Sequence, residues 1–133
     1  MTDFVLACDL DDTVFGLHEG YWSYACDTDY PELLDHRFSL PKKWFFEDSH
    51  PWPFAGDAQF LPFHEAFVAA GGLAHLDPLS GAVEALRRLQ KDGVRIHLAT
   101  YRLMLPGHEL EIMKQTVESL QRHGIPFDDL SFM

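Results

Sequence analysis

Four carboxylates and hydroxyls near the N-terminus, Asp9, Asp11, Asp12 and Thr13, follow directly on an apolar run, Phe4 to Cys8. That run has the length and the aromatic and β-branched content of a buried strand. Ligands of open α/β sheets bind beyond the carboxyl ends of the strands. Two acids spaced i, i+2 at such an end can converge on one site. One can attack phosphorus as a carboxylate nucleophile, and the other can trade protons with the leaving group. Their shared charge calls for a hard cation such as Mg²⁺, which also shields a phosphate from them. The bland alternative is an acidic loop closing a strand. The ordered pattern, strand then Asp-x-Asp-x-Thr then the apolar pair Val14 and Phe15, favours the chemical reading.

A second strand end supplies a hydroxyl. Val94, Ile96 and Leu98 alternate with Arg95 and His97, and the run closes with Ala99 and Thr100. Beside Asp9, Thr100 could donate a hydrogen bond to a phosphoryl oxygen, together with the backbone N–H groups beyond it. Alone it would be a turn threonine. Arg102 lies two residues on, as a bidentate contact for phosphate or substrate or as a solvated loop arginine.

The elements that must position these residues fall into three zones. Residues 1–15 are the strand and acidic loop. Residues 16–77 are rich in aromatics, His and Pro. Residues 78–133 have clean α/β grammar. In the last zone a helix is expected near 81–92, with Ser80 as N-cap, an apolar face of Val83, Leu86 and Leu89, and Gly93 as its stop. A second helix is expected near 108–123, with Leu110, Met113, Val117 and Leu120 along one side and Gly124 and Pro126 ending it. A third strand begins near 129–133. In the middle zone helices are expected around 18–27 and 57–70, the latter with Phe60, His64, Phe67 and Val68 on one side, among prolines at 41, 51, 53 and 62. Trp44, Phe45, Phe46, Trp52, Phe54 and Phe60 form either the core of this zone or a stacking wall for a base.

The chain has 133 residues, 47% hydrophobic and 14% aromatic, with a net charge of −11. This composition suits a folded domain and gives no basic face for nucleic acid. No apolar run approaches membrane-spanning length and no signal-peptide pattern opens the chain, so a cytoplasmic setting is the expectation. The eight histidines are scattered, and the two cysteines, Cys8 and Cys26, form neither a zinc pattern nor a disulfide framework.

The Asp-x-Asp-x-Thr motif resembles the first motif of the haloacid dehalogenase superfamily of phosphohydrolases. With Thr100, Trp44-Phe45-Phe46, Pro78 to Ala82 and Gly124 to Asp128, the chain looks like the 5′(3′)-deoxyribonucleotidase branch. The resemblance implies a Rossmann-like three-layer core, residues 1–15 and 78–133, with a parallel sheet. Residues 16–77 would be a small helical cap inserted after the first strand to select the substrate. It implies that Asp9 is the nucleophile, forming an aspartyl-phosphate, and that Asp11 is the acid and later the base. Mg²⁺ would sit on the Asp9 carboxylate and the Asp11 backbone carbonyl. Thr13, Thr100 and Arg102 would serve the phosphoryl group of a small phosphorylated substrate such as a nucleotide.

The family pattern continues with a lysine and with late metal-binding aspartates on a further strand. Lys91 and Lys114 fall on expected helices, and Asp128 and Asp129 precede the third strand. The C-terminal part of the core is therefore expected to be missing. The expected first strand would keep an apolar free edge open to a second copy or a complementing chain. The second function class is accordingly a truncated or degenerate relative that binds phosphate or a partner without turnover. A histidine-based metal or pH sensor is a third.

Overall fold

The computed structural model describes residues 4–43 and 46–133. The chain divides into two compact units, one of Met1–Leu17 with Leu73–Met133, the other of His18–Gly72. Among the described residues, no helix is long and apolar enough to cross a membrane.

The first unit holds three parallel strands, β1 (Val5–Asp9), β2 (Arg95–Thr100) and β3 (Asp129–Phe132), in the order β1-β2-β3. Register is unbroken: Val5 lies against Arg95 and Asp9 against Ala99, while His97 lies against Asp129 and Thr100 against Phe132. Helix α3 (Ala82–Lys91) leads into β2, and α4 (Glu109–Arg122) joins β2 to β3. Both helices stop where the sequence places glycine, at Gly93 (φ 86°) and Gly124 (φ 60°), in the left-handed conformation that costs glycine least. A side chain at Gly124 would also crowd Arg87, whose Nη2 donates to the carbonyls of His123 and Gly124 and ties the end of α4 to α3.

Several expectations are corrected here. β1 has the free edge expected of it, but its side chains are exposed or half-buried rather than buried, with Phe4 76% and Val5 58% exposed. The unit is an α/β arrangement compatible with a Rossmann-like core. One face of its sheet is covered. On that face Ile96, Leu98 and Thr100 are fully buried, whereas Val5, Ala7, Arg95, His97 and Ala99 of the opposite face are exposed or half-buried. Ser80 does not cap α3. Gly81 precedes the helix at φ 84° and no side chain caps it. In α4, Leu110 is 82% exposed, and the buried face is Ile112, Gln115, Thr116, Ser119 and Leu120. That face is rotated toward polar residues because they find partners inside. Gln115 Oε1 accepts from the Leu73 N–H, and the Ser119 hydroxyl donates to the Thr116 carbonyl.

The second unit contains α1, which begins at Leu17 and runs to Asp27, and α2 (Asp57–Ala69). Pro62 lies inside α2, so this proline does not interrupt the helix. Tyr21 of α1 meets Phe60, Phe63 and Phe67 of α2 edge-on at ring distances of 5.3, 5.9 and 4.8 Å, and its hydroxyl shares a 2.8 Å hydrogen bond with His64 Nδ1. Phe46, Trp52, Phe54 and Phe60 are all buried, so they serve as core and present no open stacking face. Trp44 and Phe45 lie outside the described residues.

Phe46 is 1% exposed and packs on Trp52, Phe54 and Phe60. Phe46→Ala is expected to destabilise the protein by about 3–5 kcal/mol in urea unfolding. The exposed-site control Leu34→Ala should cost no more than about 0.5 kcal/mol. Equal, small effects would show that the aromatic cluster is not a stabilising core.

Candidate active site

The acidic loop is built by convergence on one carbonyl. The backbone N–H groups of Thr13, Val14 and Phe15 all donate to the Leu10 carbonyl, at 3.3, 2.9 and 2.9 Å. The Asp12 N–H donates to the Phe15 carbonyl at 2.7 Å, and Asp12 takes a left-handed φ of 57°. Leu10, Val14 and Phe15 are buried to 2% exposure or less. These three apolar side chains anchor the turn, with Asp12 and Thr13 exposed between them and Asp11 half-buried. The Leu79 N–H donates to the Val14 carbonyl, and Phe15 bridges to Pro78, fixing the loop to the entry of α3.

Parallel pairing puts Asp9 and Thr100 at the same, carboxyl end of adjacent strands. Asp9 is exposed there. Partial desolvation pushes its carboxyl above the ordinary aspartate range, against the Leu10 backbone N–H, which lowers it. The neighbouring Asp11 and Asp12 charges add to the rise, while the Arg102 guanidinium opposes it. Thr100 is fully buried, and its hydroxyl has no hydrogen-bond partner among the described residues. An orphaned buried hydroxyl costs about 1–3 kcal/mol and marks a place where a ligand oxygen would be welcome. Thr13 is exposed on the turn.

Arg102 is 4% exposed. Its Nε donates to both Asp11 carboxylate oxygens at 3.2 and 3.1 Å, and its Nη2 donates to Oδ1 at 2.6 Å. Nη1 donates to the Thr116 hydroxyl at 2.9 Å, and the guanidinium carbon stands 5.9 Å from the centre of the Phe15 ring. Thus Asp9 and Asp11 are within electrostatic reach of each other and of Arg102, and Arg102 binds Asp11 directly. Thr116 went unnoticed in the sequence. Its signal is the polar series Gln115, Thr116 and Ser119, which interrupts the apolar spacing of α4.

The fold and this strand end define an α/β protein compatible with a Rossmann-like core, with acids and a buried hydroxyl at the carboxyl end of its sheet. No protein-family model matches the chain. Over 83 residues the chain is 32% identical to a protein of Chlorobaculum tepidum described as a "Putative 5'(3')-deoxyribonucleotidase". The match covers 62% of this chain and 41% of that protein, so the chain spans less than half of that relative.

The raised Asp9 carboxyl gives a stability prediction. A carboxyl that favours its proton more in the folded than in the unfolded state costs stability once it is ionised. Asp9→Asn should therefore melt above the wild type near neutral pH. The gain should vanish as pH falls below the ordinary aspartate value of about 3.9. Thermal melts of both proteins at about pH 7 and about pH 3 check this. A lower melting temperature for Asp9→Asn at neutral pH would show Asp9 to be a structural anchor.

Proposed function

We propose that this chain carries the catalytic end of a phosphomonoester hydrolase acting on a nucleotide or a similar small phosphate. One observation carries the reading. Asp9 closes β1 directly beside the end of β2, where Thr100 buries an unpartnered hydroxyl, with Asp11 two residues beyond Asp9. The partial match to the Chlorobaculum tepidum protein supports the same class.

In this mechanism a carboxylate oxygen of Asp9 attacks phosphorus. The bond to the leaving oxygen breaks, and that oxygen takes up a proton from water. Asp11 then removes a proton from water. The water oxygen attacks the aspartyl-phosphate, and inorganic phosphate departs as the Asp9 carboxylate is restored. The Thr100 hydroxyl donates to a phosphoryl oxygen throughout.

Among the described residues no group of three or more His, Cys, Asp or Glu side chains forms a metal cage. Mg²⁺ suits this sparse set of hard oxygen donors, because it keeps several waters and takes only one or two carboxylates beside substrate phosphate. The Asp9 carboxylate and the Asp11 carbonyl would hold it. Bound there, it would neutralise charge on the phosphoryl oxygens.

Hydrolysis of deoxynucleoside monophosphates should require Mg²⁺ and be abolished by EDTA. Asp9→Asn should lower kcat by about 10³-fold or more, and Asp11→Asn by nearly as much. Phosphate release assays on the three proteins provide the test. Equal turnover by wild type and Asp9→Asn would overturn the reading. Tight phosphate binding with no turnover would instead favour a binding protein built on the same strand ends.

A further inference from the structure

The interaction between Arg102 and Asp11 is more than a neutralised pair. Three parts of the chain meet in it: the acidic turn with Asp11, the segment after β2 with Arg102, and the middle of α4 with Thr116. The Thr116 hydroxyl donates to the Ile112 carbonyl at 2.7 Å. Its proton is thereby committed to the helix, and its oxygen is left to accept from Arg102 Nη1 at 2.9 Å. The guanidinium is a rigid planar fork. With Nη1 fixed by α4, Nε and Nη2 can only aim at one place, and both Asp11 oxygens are found there. The Arg102 side chain is 3% exposed and that of Asp11 19%, so water competes weakly for this geometry. All three guanidinium nitrogens are engaged with protein, which differs from the phosphate contact expected from the sequence.

Resting on the hydrolase reading, we propose that Arg102 is a positioning residue that acts through Asp11. Anchored on Thr116, it sets the rotamer from which the Asp11 carboxylate accepts a proton from the attacking water. The residue that transfers the proton is thus aligned from α4, and Arg102 contributes to turnover without holding the phosphoryl group. Lysine cannot replace it, because one ammonium cannot span Thr116 and both Asp11 oxygens in a fixed plane.

Steady-state hydrolysis of a deoxynucleoside monophosphate with Mg²⁺ tests this, with inorganic phosphate as competitive inhibitor. Arg102→Lys should lower kcat by about 10–100-fold, and Thr116→Val by about 3–10-fold. In both, KM and the inhibition constant of phosphate should stay within about twofold of wild type, the pattern of a misaligned general base. In an Asp11→Asn background, neither substitution should lower kcat further. Parallel rises in KM and in the phosphate constant, with kcat kept, would overturn the proposal in favour of a direct phosphoryl contact. Full additional losses in the Asp11→Asn background would overturn it in favour of a purely structural pair. If Arg102→Lys does not fold, Thr116→Val decides, since it keeps the ion pair and nearly the same volume; an unchanged kcat there would overturn the proposal. Wild-type protein without Asp9-dependent turnover would remove the hydrolase reading and this role with it. A loss confined to kcat in the two variants, with Asp9-dependent wild-type activity, separates the two claims.

Discussion

The register between β1 and β2 is the constraint from which the candidate site follows. Five parallel pairs, from Val5 with Arg95 to Asp9 with Ala99, bring the ends of these strands level. Backbone hydrogen bonds of a parallel ladder admit no partial slip. A shift of one residue would turn every side chain to the opposite face. It would bring Ile96 and Leu98 out of the core, and the apolar cost of exposing them fixes the ladder. The placement of Asp9 beside the end of β2 is therefore enforced by residues that take no part in chemistry.

Charge is the second constraint. Asp9, Asp11 and Asp12 crowd one turn, and the chain as a whole carries a net −11. A guanidinium inserted among them relieves part of the repulsion, and it is itself tolerable in the interior only because Asp11 pairs with it on two sides. Arg102 opposes the rise at Asp9 but makes its hydrogen bonds to Asp11. Burial raises the Asp9 carboxyl while Arg102 is engaged elsewhere. The phenyl ring of Phe15 and the hydroxyl of Thr116 complete the surroundings of the cation, so that turn, strand end and helix share one electrostatic centre.

Much of this was legible in the sequence, for physical reasons that differ by element. The alternation in 94–100 and the glycines at 93 and 124 announced β2 and the ends of both helices, because strand pleat and left-handed stops leave local marks. The acids of the turn were evident from type and spacing. The exposure of the β1 side chains was not, since an apolar run reads alike whether its faces are covered or open. The buried face of α4 was misjudged because its polar members look solvent-facing until Arg102 and Leu73 supply their partners. Arg102 itself was visible, but its partner Asp11 lies ninety-one residues away, and no local pattern reports such a pair.

The unit at His18–Gly72 sits within the sequence between β1 and β2, and this has a consequence for the order of folding. Pairing Val5 with Arg95 closes a long loop, and the entropy of that closure falls when the intervening chain is already compact. The aromatic contacts of Tyr21, Phe60, Phe63 and Phe67 span few residues by comparison and can form early. Collapse of the inserted unit thus shortens the tether between the two strands. Rings that lie between the two strands in sequence thereby lower the entropic cost of bringing those strands together.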